Sequence, residues 1–378
     1  MVAEPRCGAR SLHHTRPERP GARARLLLVV PKNTYATMTF RPARYTEREW
    51  QHLIRQGEHE WPDDWDALAH DEAHWRPVVA RICREHSLAF DPNRVEMDGG
   101  TNLCVLVGDA VIKIFARRSP VWFAREVEAL QTLSGAPGAK TPRLLGHGEA
   151  ADGDPDHPYL VMERLRGDPL YKHRDTTMSV DDRCLVARQV AGLARALHAV
   201  PTDPLRAFGT PPHFDWMERL WVRAEHCRDY LAEQEALPEH LLPDVDDYLG
   251  RHLPGVLNDS RPPRLLSADM HGWHILLQNQ GGAWAVTGHI DLGDAEVGPV
   301  EYEWVSIGLK SLRSEPAALR AFFEACGISL PLDDATRQRL KVYTLLHRFT
   351  HPARAAERAG LPRDAPTLDA FLDSLWPA

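Results

Sequence analysis

No stretch of this chain approaches the roughly 18 consecutive apolar residues that a membrane helix requires. A secretory leader is argued against as well. The LLLVV run at 26–30 follows basic residues, but it is short for a signal core and leads into Pro31-Lys32 rather than a small-residue cleavage site. Cysteine is sparse: Cys7, Cys83, Cys104, Cys184, Cys227 and Cys326 are widely scattered and form no C-x-x-C pair. That argues against a zinc knuckle or a disulfide framework and suits a reducing cytoplasm. Basic charge is not in excess either. With 45 Lys and Arg against 53 Asp and Glu, the formal net charge is -8. General binding to nucleic acid or to an anionic membrane is therefore not expected, whereas a cationic or metal-accompanied ligand is compatible. There is no internal repeat.

What is present suffices for two packed lobes. The chain has 378 residues, 43% hydrophobic and 26% charged, the balance of a soluble globular protein rather than a disordered or fibrous one. Residues 1–40, rich in Arg, Pro and Gly, have no helical or strand period and read as a disordered extension, with Met38 an alternative start. From 41 to 92, Trp50, Leu53, Ile54, Trp61, Trp65, Leu68, Trp75, Val78, Val79 and Ile82 recur near helical spacing, which predicts two or three amphipathic helices.

The texture then shifts. Short strands are expected at 94–97, 103–107 and 111–115, with turns at Gly99-Gly100 and Gly108-Asp109, followed by a helix at 121–133 and strands at 142–145 and 159–165. Beyond Gly167 the pattern is helical over 179–200, 216–233 and 242–252, after a start at Ser179-Val-Asp-Asp. One interruption, 264–291, reads as strand, loop, strand, turn and strand. Helices resume at about 317–326, 334–351 and 367–375. The fold class this implies is α+β, with a sheet-bearing region at 93–165 and a mostly helical one at 166–378.

Chemistry concentrates at five places. In Val111-Ile-Lys113-Ile-Phe115, alternation sets Lys113 on the face opposite Ile112 and Ile114. In the helix SPVWFAREVEALQTL, Glu126 falls inside the apolar stripe of Phe123, Val127, Leu130 and Leu133, so it faces inward and needs a cation; Lys113 is the nearest lysine on the preceding strand. Gly99-Gly100-Thr101-Asn102 offers backbone amides that suit phosphate oxygens, although a plain hairpin turn uses the same residues. The polar loop in SADMHGWHILL carries Asp269, His271 and His274 between two apolar runs. Downstream, Asp291 ends an apolar strand just before Gly293. Two carboxylates at strand ends joined through a hairpin, together with a lysine, match what phosphoryl transfer needs: a proton acceptor, a cation ligand and a phosphate-positioning charge. His289-Ile-Asp291 also has the H-x-D spacing of a two-histidine, one-carboxylate iron site, with His347 a distal ligand in that reading.

The order of these features resembles the protein-kinase-like fold and, more closely, the aminoglycoside phosphotransferase family, over about residues 94–350. The matching segments are GGTN before VIKIF, REVEAL, PYLVMERLRG, ADMHGWHILL and GHIDLGDAEVGPVEYEW. The resemblance implies a bilobal fold: a small antiparallel-sheet N-lobe with one key helix, and a larger helical C-lobe. It also implies an ATP-dependent kinase that uses magnesium, with manganese an alternative, and phosphorylates a hydroxyl of a small molecule such as an aminoglycoside or a related amino or hydroxyl metabolite. Acidic positions of the helical lobe, among them Asp181, Asp182, Glu225, Asp244, Asp246 and Asp247, would then attract a cationic acceptor.

On the same resemblance, Asp269 is the catalytic base. Lys113, braced by Glu126, orients the nucleotide phosphates, Gly100 and Asn102 lie in the phosphate turn, and the backbone near Glu163 and Arg164 bonds the purine. Asp291 and His274 hold the metal. Two residues depart from the family loop H-G-D-x-H-x-x-N: Ser267 stands for the first histidine and His274 for the final asparagine. These departures leave open an alternative, a degenerate kinase-like domain that binds nucleotide or a partner without turnover.

Overall fold

Aliphatic runs with a period of two build the sheet of the first lobe in this computed structural model. It describes residues 65–91, 96–98, 101–116, 120–151, 154–202, 216–258 and 261–376. The extension expected at 1–40, the helices expected before residue 65 and Gly100 lie outside them. Strands β1 (Glu96–Asp98), β2 (Leu103–Val107), β3 (Ala110–Ile114), β4 (Leu144–Ala151) and β5 (Asp154–Glu163) are ordered β1-β2-β3-β5-β4. Every neighbouring pair is antiparallel.

Alternation along β3 decides which core each side chain joins. Ala110, Ile112 and Ile114 pack with Trp65, Trp75, Val79 and Ile82 of helices α1 (Trp65–Ala69) and α2 (Glu72–Glu85). These two helices therefore cover one face of the sheet. Phe115, on the other side, joins the core that holds Leu130 and Leu133 of α3 (Pro120–Leu133). Lys113 shares that side, so the strand aims its one cation at α3.

The second lobe is mostly helical. It contains α4 (Leu170–His173), α5 (Val180–His198), α6 (Trp216–Glu233), α7 (Val245–Leu257), α8 (Val300–Ser306), α9 (Pro316–Ala325), α10 (Asp334–Leu346), α11 (Pro352–Arg358) and α12 (Leu368–Ser374). Helix α5 opens with the expected cap: Ser179 accepts the Asp182 N–H and Asp182 accepts the Ser179 N–H. Short strands are inserted among the helices: β6 (Asp168–Pro169), β7 (Arg264–Leu266), β8 (Ile275–Gln280), β9 (Ala283–His289) and β10 (Glu296–Gly298). They form a β6-β8-β9 sheet and a β7-β10 pair.

Two differences from the sequence expectation stand out. The helix expected at 334–351 ends at Leu346, because the chain turns extended at His347, and an unexpected helix starts at Pro352, where proline suits a first turn. Between 300 and 311, where no helix was expected, α8 runs into one turn of π-helix, Ile307–Ser311. The architecture is otherwise the expected α+β pair of lobes, one a small antiparallel sheet backed by a key helix and the other mostly helical.

Candidate active site

Lys113 is 3% exposed and Glu126 1%. Two charges so deep persist only when paired. The Lys113 Nζ donates to Glu126 Oε2 at 2.7 Å and to Asp291 Oδ1 at 3.0 Å. Burial works against the ammonium, but Asp291 and then Glu126 outweigh it and hold Lys113 above the usual lysine range. Burial likewise opposes ionisation of Asp291, and Lys113 followed by His274 overcomes it, keeping the carboxyl below the usual carboxylate range. One cation from the sheet lobe thus meets a carboxylate of the helical lobe. A second link follows nearby, where Trp122 Nε1 of α3 donates to Asp294 Oδ1 at 3.0 Å.

The register of the β8-β9 hairpin sets Ile275 opposite His289. Just outside that pair, the Ile290 N–H donates to the His274 carbonyl at 2.9 Å, and His274 Nε2 comes to 3.4 Å from Asp291 Oδ2. His274 Nδ1 lies 3.0 Å from the Asp269 carbonyl oxygen. An Nδ1–H donated to that carbonyl turns Nε2 toward Asp291. Asp269 and Asp291 are therefore joined through one imidazole.

The loop between β7 and β8 holds Asp269 under a lysine that sequence reasoning missed. Lys310, on the π-helical turn, donates through Nζ to Asp269 Oδ1 at 2.6 Å. Asp269 Oδ2 faces His271 Nε2 at 3.4 Å. Burial pushes the Asp269 carboxyl up, and Lys310 opposes it. His271 is pushed down to about 2 by burial, then by the charges of His274 and Lys310, so it is a neutral imidazole. Its Nδ1 accepts the Trp273 N–H at 3.1 Å, which supports the loop. Gly272 is needed for packing: a Cβ there would lie 2.3 Å from a Tyr171 ring carbon. The signal for Lys310 was the single charged residue in the Trp304–Leu312 run, readable only once that run is taken as helix.

Both carboxylates stand beside unusual backbone. Ala268, with φ +58°, precedes Asp269, and Asp291 itself has φ +64°. Left-handed conformations at non-glycine residues persist where surroundings over-determine them. At Ala268, Glu303, fully buried on α8, supplies that restraint: its Oε2 accepts the Ala268 N–H at 3.0 Å. Burial raises the Glu303 carboxyl to about 7.

Other expected residues are placed as follows. Asn102 lies just before β2 with its Oδ1 buried and without a partner among the described residues. At the end of β5 the Glu163 N–H donates to Arg143 O at 2.9 Å and the Arg164 N–H to Asp109 O at 2.8 Å. Both amides are thus engaged by neighbouring segments of the same lobe. His289 does not join Asp291 in an iron site: it is buried, with Nε2 3.1 Å from the Ser267 hydroxyl. His347 is buried as well and stacks on Tyr302 at 4.3 Å.

The donors at this cluster suit a nucleotide-borne cation. Asp291 Oδ2 is a hard oxygen suited to magnesium, while the His274 Nε2 beside it is a nitrogen donor better matched to manganese or a later transition metal. Among the described residues, Asp269, His271 and His274 also bring ligand atoms within 4.8 Å of one another. The site fits a divalent cation, with manganese the better match to its donors.

Residues 98–327 match the family model described as the phosphotransferase enzyme family. No curated protein matches the chain. Among solved structures it is similar to the GDP and kanamycin complex of APH(2")-IIia, at 19% identity over 80% of this chain and 97% of that one, with a TM-score of 0.56. The GDP complex of wild-type aminoglycoside 2'-phosphotransferase-IIIa gives 21% identity over 81% and 97% of the two chains, with a TM-score of 0.56. A ternary complex of aminoglycoside phosphotransferase APH(4)-Ia with ADP and hygromycin B gives 16% identity over 78% and 97%, with a TM-score of 0.52. At such identities what is shared is the bilobal kinase-like fold.

Proposed function

Because the chain belongs to the phosphotransferase enzyme family, we propose that it transfers the terminal phosphoryl group of ATP to a hydroxyl of a small molecule, with a divalent cation. The observation that carries this reading is the Lys113 ammonium held between Glu126 at 2.7 Å and Asp291 at 3.0 Å, with Asp269 tied to the same cluster through His274. In phosphoryl transfer most of the catalysis is positioning and charge stabilisation, and this arrangement supplies both.

Lys113 orients the nucleotide phosphates, and Glu126 keeps its side chain from collapsing onto Asp291 alone. Asp269 receives the acceptor proton as the hydroxyl oxygen forms its bond to phosphorus and the bond to the ADP oxygen breaks. Lys310 occupies Asp269 Oδ1, so Oδ2 is the oxygen that meets the acceptor. Asp291 and His274 would hold the cation, which when bound offsets charge on the phosphate oxygens. On this reading Gly100 and Asn102 serve the phosphates, and the backbone near Glu163 and Arg164 serves the base.

The test is transfer of labelled terminal phosphate from ATP to a panel of alcohols, kanamycin and hygromycin B included, run with magnesium and manganese in parallel. Label in a phosphoester product supports the reading. ATP binding without transfer to any acceptor under either metal supports instead a kinase-like domain without turnover, the reading that Ser267 and His274 favour.

A further inference from the structure

The rim beside Asp269 is basic, and the acidic groups that reach it are already neutralised. Arg313 pairs with Asp175, which also takes Arg174. Glu315 is shared by Arg174 and Arg183. Arg358, exposed at the end of α11, has no acidic partner among the described residues, and its charge and that of Arg313 both bear on the Tyr171 hydroxyl. Next to Lys310, then, positive charge is left over.

Aromatic surface adjoins it. The Tyr171 hydroxyl donates to the Lys310 carbonyl at 2.8 Å, and the Arg313 guanidinium lies 5.0 Å from the Tyr171 ring centroid. Trp273, four residues after Asp269, meets Tyr171 edge-on at 5.6 Å and is 51% exposed. An indole left in water beside a proposed phosphoryl-transfer centre is a stacking face without an occupant. Two of the acidic residues expected to draw in a polycation are engaged elsewhere: Asp182 caps α5, and Asp246 pairs with Arg228 at 2.6 Å.

Resting on the phosphotransferase reading above, we infer that the acceptor is an alcohol with a flat apolar body and an anionic group, a carboxylate or a phosphate. Trp273 receives the flat body, and Arg358 receives the charge. Guanidinium groups match planar and tetrahedral oxyanions, whereas a polyamine brought to this rim meets like charge. The geometry thus points away from the polycationic acceptors named in the similar structures.

Matched probes test it: para-(hydroxymethyl)benzoate, para-(hydroxymethyl)phenyl phosphate, para-(hydroxymethyl)benzylamine and kanamycin, each titrated calorimetrically into full-length protein saturated with ADP and manganese. At least one anionic probe is expected to bind about tenfold or more tightly than the amine. Whichever anion binds tighter identifies the group. Arg358→Glu should erase the gap, and Trp273→Ala should weaken all three ring probes alike; both positions are exposed, and Arg358→Gln serves as a milder second variant. Equal affinities across the probes, tighter binding of the amine or kanamycin, or no heat from any probe would overturn the inference. ADP binding in the same samples separates the two claims. Failure to bind ADP undoes the phosphotransferase reading, whereas ADP binding without charge preference undoes only the acceptor assignment.

Discussion

Replacing Glu303 by glutamine should change how stability depends on pH, and the direction is fixed by the structure. Glu303 is fully buried, accepts the Ala268 N–H through Oε2, and leaves Oε1 buried without a partner among the described residues. A carboxylate so placed is penalised by desolvation, and its folded value rises from the ordinary 4.5 to about 7. A raised carboxyl favours the fold most below the unfolded value, where both states are protonated, and that contribution is lost as pH climbs through the folded value. At about 1.36 kcal/mol per pH unit, the span corresponds to roughly 3 kcal/mol. Glutamine keeps the accepting oxygen and the shape but does not titrate. Urea unfolding of both proteins between pH 4.5 and 8 should show the wild type losing on the order of 3 kcal/mol relative to Glu303→Gln as pH rises. A constant difference, or a wild type that gains on the variant with rising pH, would refute the burial argument.

The Lys113 pair and the metal position make two further predictions. Lys113→Met should cost roughly 3–5 kcal/mol by stranding Glu126, whereas the double change with Glu126→Leu should recover part of the loss in a denaturation cycle; an additive pair would deny the coupling. For His274→Asn, manganese affinity relative to magnesium, measured by titration calorimetry, should fall by roughly tenfold. An unchanged ratio would remove His274 from the cation site.

Period and motif reached the fold because they act locally. Alternation through Ile112, Lys113 and Ile114 was enough to assign opposite faces, and the stripe from Phe123 to Leu133 was enough to turn Glu126 inward; both show up directly as the 2.7 Å pair. The meeting of Lys113 with Asp291, 178 residues apart, depends on how two lobes pack, and only the resemblance pointed to it. Lys310 was hidden for a different reason. Its segment is apolar and buried on all sides, so it has no amphipathic period, and its contact with Asp269 arises from a π-helical turn that no local preference announces. The partners of the Glu163 and Arg164 amides, the carbonyls of Arg143 and Asp109, come from other segments, so local pattern could not name them.

The central claim is that Asp269 accepts the proton of the acceptor alcohol during phosphoryl transfer. Its most direct measurement compares wild type with Asp269→Asn for two quantities in parallel: ADP affinity by calorimetry and transfer of labelled phosphate to whichever acceptor the wild type uses. The account predicts that transfer falls by at least about a hundredfold, as loss of a general base does, while ADP affinity stays within a few-fold. Transfer that survives the substitution at a comparable rate, with the fold and ADP binding intact, would contradict it.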